Sequence, residues 1–216
     1  IQRADLNPYN MNREQKAAAF NASGTGNTEN NIFGLPFTTE ESRVVLIPVP
    51  WDVTVSNHAG TSLAPAKILE CSFQIDLYDP FAPNAWKTGM AMEPISEKWG
   101  NTNAWLRPQA SDYIAFLEKG GDAASSGEMA ALAARVNQYC HELCGEITKK
   151  TEKYLKNNQL PFIIGGDHSV PLGLIRALGK QHGSFGILQI DAHADLRKAY
   201  QGFDYSHASI MYQAMQ

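Results

Sequence analysis

The 216 residues contain only three cysteines, Cys71, Cys140 and Cys144. A small, odd number excludes a disulfide framework and points to a reducing, cytoplasmic setting. No apolar run approaches the roughly 20 residues that a membrane helix needs. The first ten residues, IQRADLNPYN, lack the apolar centre of a secretory leader. No Lys- and Arg-dense stripe is present and the formal net charge is −4, which argues against nucleic acid as a partner. A phosphate cradle is missing as well. The Gly-rich NASGTGNTENN at 21–31 has no third glycine and no strand before it, so it reads as a loop.

What is present suits a folded enzyme-sized domain. Hydrophobic residues make up 44% and charged residues 19%, a mix that supports a sizeable core. The length fits one large α/β domain or a domain with extensions. VVLIPVP at 44–50 is a β-branched run closed by prolines and predicts a strand. LAPAKILECS at 63–72 predicts a short helix with Pro65 near its start. The stretch from 80 to 110 carries Pro80, Pro83, Pro94 and Pro108 with Trp86, Trp99 and Trp105. It predicts irregular structure with hairpins, a surface insertion reaching to about residue 122.

A long helix follows. Ser125 and Glu128 form a capping-box pattern. Met129, Leu132, Val136, Cys140, Leu143, Ile147 and Tyr154 recur at helical spacing to about residue 157. LPFII at 160–164 predicts a short buried strand, GGDHS a turn, 171–180 a helix, and SFGILQI at 184–190 a second buried strand. Strand, helix and strand with short joins make a βαβ unit, hence a parallel sheet.

Both predicted strands end in polar clusters: Asp167 and His168 after the first, Asp191, His193 and Asp195 after the second. Functional groups in open parallel sheets gather beyond the carboxyl ends of the strands. If the chain stays extended past Ile190, residues 191, 193 and 195 face one way, about 6.6 Å apart per two residues. Carboxylates and imidazoles without thiolate suit a borderline-hard divalent ion such as Mn²⁺ or Zn²⁺. Two such ions share a carboxylate readily and lower the pKa of a water between them. A lone D-x-H would read as a helix cap with backbone-satisfied imidazole. GGDHS together with DAHAD, at two strand ends of one unit, reads as a metal site.

Other stretches read as structure. In CHELC at 140–144 both thiols lie on the apolar stripe with Leu143 and Ile147, which is a core position for cysteine. HELCG fails the zincin spacing because Gly145 stands fifth. His58 and His182 read as surface residues, and Ser169 as a helix cap.

GGDHS (165–169), QIDAHADLR (189–197) and SHAS (206–209) resemble the ureohydrolase family, the arginases, agmatinases and formimidoylglutamases. PVPWDVTVSNHAGTSLAP also looks like that family's early region, and the resemblance runs from about residue 44 to the end. It implies a three-layer α/β/α domain with a mainly parallel sheet, spanning 44–216 after an N-terminal extension at 1–43. It implies a two-manganese (Mn²⁺) centre in which His168 and Asp195 hold one ion, His193 holds the other, and Asp191 bridges. Asp167 becomes a supporting partner. His207, twelve residues past Asp195, becomes the proton shuttle, a role suited to a side chain that titrates near neutrality. Asp195 would also orient the attacking water. The implied reaction is hydrolysis of a linear guanidino or formimino substrate, with release of urea or formamide by a homo-oligomer.

Two departures stand out. SFQIDLYDP (72–80) looks like the family's second metal motif, but Gln74 replaces the bridging Asp and the stretch precedes GGDHS. It reads as a helix end and exit turn. The second Asp pair and the guanidinium-gripping Glu that the family carries after the SHAS region are missing. The 216 residues therefore read as the amino-terminal portion of a longer enzyme, with weak or single metal binding and little activity of their own. The alternative is a non-catalytic relative that binds metal or acts as a scaffold.

Overall fold

The computed structural model describes residues 11–216. The leader reading concerns residues 1–10 and lies outside the described residues. Nine elements follow in order: α1 (Arg13–Ala19), β1 (Val44–Val49), α2 (Ala64–Ser72), β2 (Met90–Met92), α3 (Glu97–Glu118), α4 (Gly127–Lys156), β3 (Leu160–Gly165), α5 (Leu172–His182) and α6 (Ile210–Ala214). The sheet is parallel with order β2-β1-β3.

The ladder explains how two prolines survive in a three-stranded sheet. The Val44 N–H donates to the Gly89 carbonyl and the Glu93 N–H to the Leu46 carbonyl. Residues 44, 46 and 48 of β1 therefore turn their backbone groups toward β2. β2 stops at Met92, opposite Leu46, so Pro48 faces a side with no ladder left to donate to. In β3 the Leu160 N–H points to the Arg43 carbonyl, which turns Pro161 to the open edge. A proline there removes a dangling donor from an edge strand.

Side chains alternate across the sheet and bury two faces. Val45, Ile47, Val49 and Ile163 pack against Trp99, Leu106 and Ile114 of α3 and Val136, Leu143 and Ile147 of α4. Leu46 and Ile164 pack the other way, with Leu69 of α2, Ile32 and Met92. Helices on both faces make the three-layer α/β/α arrangement. The predicted strand at 44–50 and the helices at 63–72 and 171–180 are present. The loop at 21–31 is present too, and its Asn31 ties into β2 by accepting from the Met92 N–H at 2.7 Å.

Four expectations are corrected. The irregular reading of 80–122 fails over α3, which is helical for 22 residues. Trp99, Asn103, Leu106, Ala110, Tyr113 and Ile114 are its buried stripe, at the three- and four-residue spacing of a helix. Pro108 lies inside the helix, on its exposed side, and the surrounding packing outweighs its helix-breaking tendency. Among the described residues 80–96 there is no hairpin, because β2 joins the sheet in parallel. The cap of α4 is Ser126, whose side chain accepts from the Met129 N–H at 3.4 Å, while Ser125 belongs to a 3-10 turn. β3 is not buried throughout: Leu160 is 45% and Phe162 52% exposed, since one edge has no neighbour. Residues 185–190 pair with no strand, and Leu188 and Ile190 are 88% and 92% exposed. Without a partner edge this run has neither ladder bonds nor an apolar face to bury.

Candidate metal centre

The carboxyl end of β3 is locked before any site residue is reached. The Gly166 N–H donates to the Val49 carbonyl and the Asp167 N–H to the Trp51 carbonyl, so the turn is pinned to the exit of β1. A side chain at 166 has no room, since a Cβ there would lie 1.9 Å from the Trp51 oxygen. This explains Gly166 in GGDHS, where the backbones of two strand ends touch; at Gly165 a Cβ would instead meet the Val170 side chain at 2.7 Å. His168 is the first residue past the pinned pair and is half-buried.

Asp191 and Asp195 come to this imidazole from the other end of the chain. His168 Nδ1 lies 2.6 Å from Asp195 Oδ2 and 3.2 Å from Asp191 Oδ2. The three residues offer ligand atoms within 4.8 Å of one another. Asp195 is buried and holds a left-handed backbone conformation, φ 49°. Its carbonyl accepts from the Met211 and Tyr212 N–H groups at the start of α6. Asp191 is fixed by the His193 N–H, which donates to Oδ1 at 2.9 Å. That bond, more than the neighbouring His168, holds the Asp191 carboxyl below its usual range against a small desolvation cost. His193 Nδ1 sits 3.6 Å from Asp191 Oδ1, with its side chain 82% exposed. Asp191 thus turns one oxygen toward each imidazole, and His193 stays outside the convergent trio.

His207 lies beside an open cavity of about 810 Å³ lined by Asn57, His193, Asp195, Arg197, Tyr200 and His207 among others. Its ring stands edge-on to Tyr200 at 5.7 Å. Nδ1 is buried with no partner among the described residues, so Nε2 is the ring nitrogen open to the cavity. Asp167 does not approach the His168 ring. Its Oδ1 accepts from the Ser169 N–H and hydroxyl, and its Oδ2 from Thr54 at 3.1 Å. Burial pushes this carboxyl upward, countered by those bonds and by His207. Ser169 is therefore a clip on Asp167 and not the cap of α5, whose first turn has no side-chain cap.

The reading of 72–80 as an exit turn holds: the Asp79 Oδ1 accepts from the Phe81 and Ala82 N–H groups, and Asp76 and Asp79 are both exposed. Cys140 and Cys144 are buried in the core, and burial pushes both thiols up, away from the thiolate a metal would need. His58 and His182 are exposed.

Sequence reasoning missed one supporting group. Asp52 is 1% exposed, accepts from the Gly60 and Ser62 N–H groups and is gripped by Asn103 Nδ2 at 2.9 Å. Arg107 donates to the Val53 carbonyl at 2.9 Å. Together with Thr54 they shape the loop whose residues 55–57 wall the cavity. The signal was there: Asp52 and Thr54 alternate past the end of β1 just as Asp191, His193 and Asp195 do past Ile190.

The donor set of one imidazole and two carboxylates suits a divalent ion such as Mn²⁺. A family model described as "Arginase family" matches residues 42–216. The chain is 29% identical to an N(1)-aminopropylagmatine ureohydrolase of Thermus thermophilus, over 82% of this chain and 48% of that protein. The agmatine ureohydrolase structure of Thermoplasma volcanium superposes with a TM-score of 0.57 at 20% identity, covering 92% of this chain and 52% of that one. The Trypanosoma cruzi formiminoglutamase structure with Mn²⁺ gives 0.55 at 17% identity, covering 83% and 49%. At such identities the two structures speak for the fold alone. The chain spans about half the length of the curated relatives it matches.

Proposed function

The chain belongs to the arginase family, and from that premise we propose that it carries part of the centre of a metal-dependent hydrolase of linear guanidino or formimino compounds. The observation that supports this most directly is His168 Nδ1 standing 2.6 Å and 3.2 Å from the carboxylates of Asp195 and Asp191. These three residues would hold one Mn²⁺, and His193, across Asp191, would serve a second. When bound, such an ion supplies Lewis-acid polarisation of a water or of the substrate. Asp195 orients the attacking water. Water adds to the planar amidino carbon and gives a proton to His207 Nε2; the C–N bond then breaks as His207 passes that proton to the departing amine. Urea and an amine result from a guanidine, formamide and an amino acid from a formimino substrate. Agmatine-like and formiminoglutamate-like substrates lead the proposal, in keeping with the names of the relatives.

The proposed setting is cytoplasmic, which the three free cysteines favour, and no described helix is long and apolar enough to cross a membrane. Homo-oligomeric assembly belongs to the same proposal; exposed Tyr78, Phe81 and Ile190 supply apolar surface for it.

The test starts with Mn²⁺ titration of this chain, followed by electron paramagnetic resonance. One ion per chain is expected, and His168→Ala or Asp195→Ala should weaken binding at least about 10-fold, the range seen even for indirect partners. A chain that takes up no Mn²⁺ sinks the metal reading. The natural polypeptide carrying these residues should then release urea or formamide from a guanidino and formimino panel.

A further inference from the structure

The CHELC run carries two buried core thiols, and it borders the segment that carries the proposed site. Asn137, His141 and Cys144 are spaced i, i+4 and i+7 along α4, so they form one stripe. Asn137 Nδ2 donates to the Gly202 carbonyl at 3.0 Å and its Oδ1 accepts from the Asp204 N–H at 2.9 Å. His141 Nδ1 meets the Tyr205 hydroxyl at 2.9 Å. Cys144 Sγ accepts from Arg176 Nη1 at 3.4 Å, and that guanidinium lies 5.5 Å over the Tyr205 ring. Every residue of the stripe therefore engages, directly or through Arg176, the stretch 202–205.

That stretch cannot move alone. Tyr200 and Phe203 pair as a two-residue hairpin, with Gln201 and Gly202 at φ 52° and 77°. Phe203 is fully buried against Tyr113. The Arg197 N–H donates to the Ala208 carbonyl and the Met211 N–H to the Asp195 carbonyl. Residues 195–211 thus form one closed loop with Asp195 at its neck and His207 within it. Residues 185–190 before it pair with no strand, so the loop takes part of its position from this contact, beside the burial of Phe203 and Ile210.

We propose that the Asn137–His141–Cys144 stripe is a docking seam that sets where Asp195 and His207 stand, which makes Asn137 and Tyr205 positioning residues for the proposed site. This rests on the metal-hydrolase reading for its consequence, while its geometry stands apart from it. Cys144 is the buried end of the seam, whereas the two Asn137 bonds are polar and exposed, so their loss loosens the loop and leaves the core intact. The test is hydrogen exchange of the metal-free chain bearing Asn137→Ala or Tyr205→Phe, together with the Mn²⁺ dissociation constant of each. Exchange across 195–212 should quicken about ten-fold, the effect of losing one or two net hydrogen bonds, while the locally exchanging amides of α3 and of the rest of α4 hold and the melting temperature falls by no more than about 5 °C. The Mn²⁺ dissociation constant should rise about ten-fold as Asp195 loses its place. Asn137→Asp, which keeps the acceptor for Asp204, should fall between. Exchange that rises equally everywhere, or not at all, overturns the seam. Local loosening with unchanged Mn²⁺ affinity overturns its link to Asp195. If the unaltered chain binds no Mn²⁺, the hydrolase reading fails on its own and the exchange profile still decides the seam.

Discussion

Two apolar runs of this chain end in polar clusters, and the two are held in opposite ways. LPFIIG is β3: its residues pair with β1 along their whole length, and the GGDHS turn beyond it is pinned by main-chain bonds to Val49 and Trp51. FGILQI has no ladder and is largely exposed, and the DAHAD stretch beyond it is held by its own side chains, by α6 and by His168. One half of the site is placed by a sheet. The other half is carried by a loop that borrows its position from helices. The imidazole is therefore fixed by main-chain pairing, and the carboxylates by side-chain and loop contacts.

Substitutions at the two ends should expose the difference. The largest effect belongs to Gly166→Ala. A Cβ 1.9 Å from a backbone oxygen cannot be relieved by a side-chain rotation, so the two strand ends must separate. A loss of about 3 kcal/mol or more is expected, seen as a melting temperature lower by roughly 10 °C for a chain of this size. A melting curve unchanged by this variant would break the contrast.

Asp52 comes next and carries a pH signature. Desolvation opposes its ionisation most, but the bonds from Gly60, Asn103 and Ser62 outweigh it and hold the carboxyl below its ordinary range. The stability it contributes is therefore complete above the unfolded value near ~3.9 and is lost as pH falls through the lower folded value. Asp52→Asn should cost about 1–3 kcal/mol near neutrality. Its gap from the unaltered chain should shrink below roughly pH 4. Urea unfolding of both proteins across pH 3 to 7 checks this, and a gap independent of pH argues against a structural carboxylate.

The smallest effect is expected at the loop end. Ile190→Ser alters a residue 92% exposed and should change unfolding free energy by no more than about 0.5 kcal/mol. A larger loss would mean that 185–190 is packed after all.

Much of this was readable from residue order. β1, α2, α4 and α5 follow from short-range patterns: a β-branched run, a proline at a helix start, an apolar stripe running on to Tyr154. The pairing of His168 with Asp191 and Asp195 was legible because both clusters follow apolar runs at a spacing that suits a site. α3 was obscured by Pro108, a local breaker overruled by six buried residues on one helical face. Ser169 was misread because the Asp167 carboxylate two residues before it takes both its N–H and its hydroxyl, and α5 starts two residues later than a Ser169 cap would place it.

The order of residues alone determined which groups have the chemistry: carboxylates and imidazoles without a reactive thiol, set just past apolar segments. The three-dimensional packing alone decided which of them meet. His193 is drawn aside while His168, Asp191 and Asp195 converge, and Asn137 and Tyr205 hold the loop that brings one of them in. The reason is physical. Side-chain chemistry and short-range spacing are properties of neighbours in the chain, whereas convergence depends on contacts between residues tens of positions apart, whose closure is settled only when the whole core forms.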